Sequence, residues 1–344
     1  MADRPRVVFV TYYTIWPTAM IGVFKRCLRI IERMSADFDV HMLHFGALPV
    51  DDPVFRRVAP RITFENDIAG ENLREKMIAY YRKIGPKAVI FGESPCAGSM
   101  LMAYRTAPGN GTRLIAIDNY YGHLMGMITA AGFHRVQRWL FLGLLPEGQI
   151  DRATWRYDVA PPLVRAAPEL GRAQRDRICV LGYDRATLVM AHDILTRLPA
   201  GEKVELFLSD QAGALTEGLA FDQLPHQLIR TFNATDADLF ASFARAKVVL
   251  GKAGFQQIVE SIAMGAPIVC QMYHTGVITL LVPRYLRRYV QLVDKPKDRV
   301  RAMPRIAEWV RNPAPAPWER TTRDTPDLAA HSARSLERII NTAN

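Results

Sequence analysis

The stretch 239–271, LFASFARAKVVLGKAGFQQIVESIAMGAPIVCQ, decides the fold class of this chain. Its apolar run Val-Val-Leu at 248–250 predicts a buried strand, which leads through the glycine-containing turn 251–254 into a helix that begins near Phe255. Gly265 and Pro267 are typical of a helix end. Because backbone N–H groups at the start of a helix attract anions, this strand–turn–helix unit predicts a phosphate site.

Glu260 lies six residues after Gly254, on the second turn of the helix and at the rim of the same site. There its carboxylate is placed to accept hydrogen bonds from ribose hydroxyls, while Ile258 and Ile262 are expected to face the core. The alternative is an ordinary strand–helix turn with a surface glutamate, because glycine-containing turns of this kind are common. On spacing alone, both interpretations stay open.

Strands and helices alternate along the whole chain, which is typical of parallel sheets covered by helices on both faces. In the first half we expect strands at 6–11, 38–44, 86–91 and 113–118, and helices at 20–34, 71–84 and 97–105. In the second half we expect strands at 177–181, 204–208, 228–232, 247–251 and 268–271, and helices at 185–197, 236–245, 255–264 and 327–340. We therefore predict an α/β fold of two doubly wound units, with ligands at the carboxyl ends of the strands, in the cleft between the units.

Composition and charge narrow the class of protein further. Of the 344 residues, 49% are hydrophobic and 23% are charged, which excludes disordered, collagen-like and disulfide-rich chains. The net charge of +10 is divided almost evenly, with 22 basic and 16 acidic residues in 1–172 against 22 and 18 in 173–344. Because no basic arm stands out, we expect no nucleic-acid partner, and a broadly positive surface suits anionic substrates or lipid headgroups.

The four cysteines, Cys27, Cys96, Cys179 and Cys270, lie far apart in the sequence. This spacing favours reduced thiols over a disulfide framework and predicts a cytoplasmic protein. We expect neither a signal peptide nor a transmembrane helix, because the first strand follows the N-terminus almost directly and no long uncharged apolar run occurs.

The stretch 239–271 resembles the donor-binding region of the GT-B glycosyltransferases, in particular the MurG-type, family 28-like nucleotide-sugar transferases. The matching residues are Ala253, Gly254, Glu260, Gly265 and Pro267. The resemblance implies two Rossmann-like domains that face a cleft, with acceptor binding in 1–170 and nucleotide-sugar binding in 171–326. It also implies that a helix in 327–344 crosses back and packs on the N-terminal domain.

The resemblance further implies a UDP-sugar donor, with its pyrophosphate over the start of the helix and its ribose at Glu260. The residues implied for the donor are Gly182, Tyr183, Phe232, Asn233, Ala253, Gly254, Phe255, Gln256, Gln257, Glu260, His274 and Thr275. Gln257 departs from the family's Ser or Thr, and 271–276 lacks the acidic residue and glutamine that grip the donor sugar. His274 is equally well interpreted as an ordinary loop histidine.

The family's histidine at the start of the first helix is also missing, because Val23 stands in its place. An inverting transferase then needs another general base within reach of the acceptor hydroxyl. Our candidates are Glu93, Asp118 and His123, which follow the strands predicted at 86–91 and 113–118. Each of them has an ordinary alternative as a cap, turn or loop residue.

The segment 126–145 combines aromatic side chains with His134, Arg135 and Arg138. Such a mixture either docks at an anionic membrane surface or forms a core helix whose basic side chains reach out to solvent. The family's lipid-linked acceptors point toward the membrane, at its inner face.

We therefore predict an inverting, metal-independent glycosyltransferase that needs no cofactor beyond its nucleotide-sugar co-substrate. Its acceptor hydroxyl would belong to a lipid-linked molecule, a cell-envelope glycan or a small molecule. Two alternatives stay open: a nucleotide-sugar epimerase or hydrolase of the same fold, and a non-catalytic nucleotide- or glycan-binding partner of another transferase.

Overall fold

The computed structural model divides the chain into two compact units. Unit 1 comprises Met1–Leu163 and Asp327–Asn344, and unit 2 comprises Val164–Pro326. The residues described are 4–12, 21–45, 53–65, 72–91, 111–118, 138–142, 157–160, 175–209, 212–272, 286–313 and 328–342.

Unit 1 contains a sheet of seven parallel strands in the order β3-β2-β1-β4-β5-β6-β7. The strands are β1 (Arg6–Tyr12), β2 (Asp39–Phe45), β3 (Ile62–Glu65), β4 (Ala88–Phe91), β5 (Arg113–Asp118), β6 (Arg138–Leu142) and β7 (Tyr157–Ala160). Three described helices of this part are α1 (Ile21–Arg33), α2 (Pro53–Val58) and α3 (Leu73–Ile84). The apolar side chains of β1 are fully buried, as expected of a central parallel strand covered on both faces.

Unit 2 contains a sheet of six parallel strands in the order β10-β9-β8-β11-β12-β13. The strands are β8 (Arg177–Gly182), β9 (Lys203–Leu208), β10 (Gln227–Phe232), β11 (Ala246–Lys252), β12 (Ile268–Gln271) and β13 (Val290–Val293). Its described helices are α4 (Arg185–Thr196), α5 (Ala212–Thr216), α6 (Asp236–Ala244), α7 (Phe255–Ala263) and α8 (Pro296–Arg311).

The last helix, α9 (Leu328–Asn341), belongs to unit 1 although it follows unit 2 in the sequence. Its apolar residues, including Leu336 and Ile340, are buried in the core that α1 and the sheet of unit 1 build. The side chain of Arg113 donates a hydrogen bond of 2.7 Å to the backbone oxygen of Ile339. The chain terminus is therefore fixed by both apolar packing and hydrogen bonds.

The two parallel α/β sheets confirm the predicted fold class, although several elements escaped prediction. These are β3, β6, β7, β13, α2, α5 and α8. The core-helix interpretation of 126–145 is wrong for Arg138–Leu142, which forms β6; the rest of that segment lies outside the described residues, as does the helix predicted at 97–105. A short apolar run does not distinguish a strand from a buried helix, which explains the error.

Within the residues described, no helix combines the length and the apolar character that crossing a bilayer requires.

Candidate functional site

The site predicted in the second half of the chain lies where the strand order of unit 2 reverses direction. The chain runs from β8 outward to β9 and β10, and then returns to place β11 on the other side of β8. Open parallel sheets bind ligands at such a switch point, outside the carboxyl ends of the strands. Here those two ends are Gly182 of β8 and Lys252 of β11.

At position 182, the end of β8, close packing leaves room only for glycine. A Cβ atom built on it would lie 2.7 Å from Cδ2 of Leu188 and 3.0 Å from the backbone oxygen of Phe207. The leucine side chain is able to shift, but the backbone oxygen belongs to the neighbouring strand β9 and is fixed. The tight turn after β8 therefore depends on glycine.

Three helices of unit 2 differ in how their first turns are capped. The Asp184 carboxylate caps α4 by accepting hydrogen bonds of 2.8 Å from the backbone N–H and the hydroxyl of Thr187. Thr235 and Asp238 cap α6 with a reciprocal capping box. By contrast, α7 starts at Gly254 without any side-chain cap. The first backbone N–H groups of a helix have no partner within it, so those of α7 point outward as donors for an anion.

Lys252 adds a positive charge beside the start of α7. Its Cε atom lies 3.7 Å from the position that a Cβ atom on Gly254 would take. Burial lowers the pKa of Lys252, and the nearby Asp184 carboxylate partly offsets that shift. A half-buried ammonium group and a helix N-terminus thus combine their positive potentials at one point.

Gln257 contributes to this site through its backbone. Its side-chain oxygen Oε1 is buried without a hydrogen-bond partner among the described atoms, 3.1 Å from the position of a Cβ atom on Gly251. The side chain therefore packs against the end of β11. Its backbone N–H lies in the first turn of α7, among the donors that have no partner within the helix.

Glu260 is partly exposed on the second turn of α7, as its spacing predicts. Ile258 and Ile262 are buried, with 1% and 0% exposure, so the opposite side of the helix faces the core as expected. Unlike these isoleucines, the carboxylate is accessible to a ligand held at the helix start.

At the edge strand β10, Phe232 is 55% exposed and is followed by Asn233 in the left-handed region at φ 49°. The Asn233 N–H donates a 3.1 Å hydrogen bond to the Leu208 oxygen, which fixes this turn. Asparagine tolerates that conformation better than most residues. An exposed ring at a strand end offers a flat apolar surface to a planar group.

Four of the predicted site residues, Glu93, His123, His274 and Thr275, lie outside the described residues. Asp118 is the last residue of β5, at the carboxyl edge of the sheet of unit 1. Tyr183 follows Gly182 directly, and Ala253 donates its N–H to the Gln271 oxygen over 2.9 Å. Phe255 and Gln256 are the first two residues of α7. The functional roles of all the residues named in this paragraph remain predictions.

Two Asp-x-Asp triplets, 37–39 and 236–238, have local structural partners. Asp39 lies 3.1 Å from the His41 ring and 3.6 Å from the Arg6 guanidinium. Hydrogen bonds from Thr235 lower the pKa of Asp238. Among the residues described, no group of three His, Cys, Asp or Glu side chains is arranged to hold a metal ion.

Sequence reasoning missed Lys252 and Asp184 as members of this site. Lys252 is the one long side chain in the turn Gly-Lys-Ala-Gly, which was an available signal. Asp184 followed by Thr187 was a recognisable capping pair. Their proximity depends on β8 and β11 being neighbours, which no local pattern indicates.

The switch-point site and the two Rossmann-like sheets define the chain as a protein of the GT-B fold. No protein-family model matches the sequence, and no curated protein sequence matches it significantly. Among solved structures, the chain is similar to MurG of Acinetobacter baumannii, with 12% identity, 97% of this chain and 100% of that chain covered, and a TM-score of 0.62.

Two further structures share the fold over nearly the whole length. The glycosyltransferase VinC in complex with dTDP has 11% identity, 97% and 99% coverage and a TM-score of 0.60. A UDP-glucosyltransferase from Polygonum tinctorium has 10% identity, 99% coverage of both chains and a TM-score of 0.62. The predicted likeness to GT-B glycosyltransferases, including MurG, is thereby confirmed at the level of the fold.

Proposed function

We propose that this protein is a glycosyltransferase that moves a sugar from a UDP-sugar to an acceptor hydroxyl. One observation carries the proposal: in a GT-B fold, the uncapped start of α7 lies beside Lys252 at the switch point of unit 2. This arrangement suits a diphosphate, because backbone donors and a fixed cation are aimed at one place.

In the proposed reaction the acceptor oxygen attacks the anomeric carbon and displaces the nucleotide diphosphate, with inversion. The α7 amides and the Lys252 ammonium stabilise the charge that develops on the leaving phosphate, so that we assign no metal ion to this step. Glu260 accepts hydrogen bonds from the ribose hydroxyls. Phe232 and Asn233 hold the nucleobase, and His274 and Thr275 are proposed to contact the donor sugar or a phosphate.

The general base is proposed to come from unit 1, where Glu93, Asp118 and His123 follow strands of the sheet. Asp118 stands at the carboxyl end of β5, the edge at which parallel sheets present their ligands. A carboxylate or imidazole there would accept the proton of the acceptor hydroxyl during attack.

The nucleotide and the acceptor class are both proposed from the resemblance to the MurG-type transferases. The related structures carry dTDP in one case and a UDP-dependent activity in another, and both nucleotides present the same diphosphate. We propose UDP for this chain from the resemblance of its residues 253–267 to the MurG-type transferases. On the same resemblance we propose a lipid-linked acceptor, with peripheral contact through 126–145 at the inner face of the membrane.

The test is a thermal-shift panel of UDP, dTDP, UMP, UDP-sugars, NAD and ATP with the full chain. Ligand at about 100 times its Kd stabilises a protein by about 2.7 kcal/mol, so specific binding is readily visible. We expect shifts with nucleoside diphosphates and their sugars, and much smaller ones with UMP. A shift with NAD or ATP alone would overturn the proposal.

A second assay separates the alternatives that share this fold. UDP-sugars are incubated with the protein without acceptor, and both release of UDP and a change of sugar stereochemistry are followed. Turnover without acceptor would identify an epimerase or hydrolase. Binding of UDP that depends on Glu260, without turnover on any acceptor and without effect of substitutions at the base candidates, would identify a non-catalytic partner.

A further inference from the structure

The positive charge of the chain is concentrated in one described segment of unit 2. Residues 286–313 contain eight Lys and Arg against three Asp and Glu, a net charge of +5 within a chain of +10. Half of the excess charge therefore lies in 28 residues, which comprise β13, α8 and the turns that flank them.

Helix α8 divides into an apolar face and a basic face. Ala302, Ile306 and Val310 are buried in the core of unit 2. On the opposite side Lys297 and Arg301, one turn apart, are both exposed. The residues exposed there are Lys297, Val300, Arg301, Pro304, Glu308 and Arg311. Glu308 and Arg311 pair with each other at 3.4 Å, and we call the other four, together with Arg287 and Arg288, the basic face.

One cation of the basic face, Arg287, is held beside α8 by a contact with Arg305. The Arg305 guanidinium donates a hydrogen bond to the backbone oxygen of Arg287 and lies 4.9 Å from the centre of the Trp309 ring. Burial and the charge of Arg287 lower the pKa of Arg305. Arg287 is thereby brought beside the helix despite charge repulsion.

Internal counter-ions do not balance this face within the described part of the chain. No carboxylate there lies within ion-pair distance of Arg287, Arg288 or Arg301, whereas Arg299 on the buried side lies 3.7 Å from Asp193. The pKa of Asp298 is lowered chiefly by the hydrogen bond from the backbone N–H of Lys295, and the charges of Lys297 and Arg301 add smaller contributions. An external anionic surface would supply the missing charge.

We propose that the basic face binds the surface of an anionic lipid membrane. Lys and Arg near such a surface each add to the attraction. Val300, 50% exposed between the cations, favours lipid over nucleic acid, because an aliphatic side chain is accommodated at the headgroup boundary and gains nothing from phosphates and sugars. Trp309 is largely buried, so it offers no ring on which single-stranded bases would stack.

The test is co-sedimentation of the full chain with phosphatidylcholine vesicles that contain phosphatidylglycerol. We expect binding that requires the anionic lipid and weakens with salt. The double variant Lys297→Gln/Arg301→Gln should bind about 30-fold more weakly, because each cation near the surface contributes about fivefold. The matched control, Arg82→Gln/Lys83→Gln on the exposed end of α3, should bind like the wild type.

A third variant, Val300→Ser, distinguishes lipid from other polyanions. It should weaken vesicle binding by about threefold, since apolar burial is lost, and leave binding to heparin and duplex DNA unchanged. Equal vesicle binding by the Lys297→Gln/Arg301→Gln variant would overturn the proposal. Tighter binding of the wild-type protein to DNA than to vesicles would also overturn the proposal. The inference does not rest on the proposed glycosyl transfer, because no nucleotide enters the assay.

Discussion

Substituting Gly254 by aspartate should stabilise the folded protein and abolish binding of the nucleotide diphosphate. Gly254 is the N-cap of α7 and has extended backbone angles of φ −90° and ψ 128°, which any residue adopts. A Cβ atom there would meet its nearest neighbours, Cε and Cγ of Lys252 and Cδ of Gln257, at 3.7, 3.8 and 3.9 Å. These are ordinary contacts, so Gly254→Asp introduces no strain.

The gain in stability has three sources. An aspartate N-cap exceeds glycine by a few tenths of a kcal/mol. Loss of glycine flexibility in the unfolded chain adds about 0.4–1 kcal/mol, and the helix dipole adds about 0.3–1 kcal/mol. The sum is about 1–2 kcal/mol, which corresponds to a rise in Tm of about 2–8 °C for a cooperative unit of this size.

The loss in binding arises because the new carboxylate takes the place of the ligand. It accepts the hydrogen bonds of the α7 amides and puts a negative charge about 4 Å from the bound phosphate, a repulsion of about 4 kcal/mol at an effective dielectric constant near 20. Lys252 screens part of that repulsion. We therefore expect UDP affinity to fall by at least about 100-fold, where 1.4 kcal/mol is a factor of ten.

Calorimetric titration with UDP and thermal unfolding without ligand measure the two effects separately. Gly254→Asn is the matched control, because it caps the helix without adding charge and should lose much less affinity. A Gly254→Asp protein that is folded, more stable and binds UDP like the wild type would refute the assignment of the diphosphate to α7.

Three further predictions concern neighbouring residues. Glu260→Gln should weaken UDP binding by about 10–100-fold, since bonds to a charged acceptor are lost, and should weaken 2′-deoxy-UDP binding less, as titration of both ligands will reveal. Because the pKa of Lys252 is lowered on folding, the folded protein holds fewer protons than the unfolded chain between the lowered and the ordinary value. The free energy of unfolding should therefore rise with pH in that window while UDP affinity falls, and Lys252→Met should abolish both trends; persistence of both in the variant would contradict this. Gly182→Ala should cost about 1–3 kcal/mol in urea unfolding, because its Cβ would lie 3.0 Å from a fixed backbone oxygen; a change within error would contradict the packing argument.

The strand–turn–helix unit around Gly254 was predictable because local chemistry determines it. The run at 248–250 is apolar and fully buried, and Gly265, at φ 80°, adopts the left-handed conformation that ends helices. Helix α8 was not predictable in the same way. Its cations and the internal Pro304 obscure the spacing of its buried residues, and proline alone normally argues against a helix interior.

The set of residues that meet at the site could be recognised only from the tertiary structure. β8 and β11 are far apart in the sequence, yet Val180 pairs with Leu250 in adjacent strands, and this register brings Asp184 toward Lys252. Similarly, dividing the charge into two halves indicated an even spread. A finer division would have shown half of the excess in the contiguous window 286–313, and the structure adds only that Lys297 and Arg301 lie exposed on the same side of α8.

The start of α7 and Lys252 share one physical property, which is that a bound anion would stabilise each of them. Backbone donors without a cap lose hydrogen bonds that α4 and α6 obtain from their own side chains. A half-buried ammonium group loses hydration, as its lowered pKa records. Placed together, both losses are reversed by the same bound diphosphate, and neither group has to reorganise when charge develops on the leaving phosphate. In the proposed transfer, such preorganised groups would stabilise the charge on the leaving diphosphate.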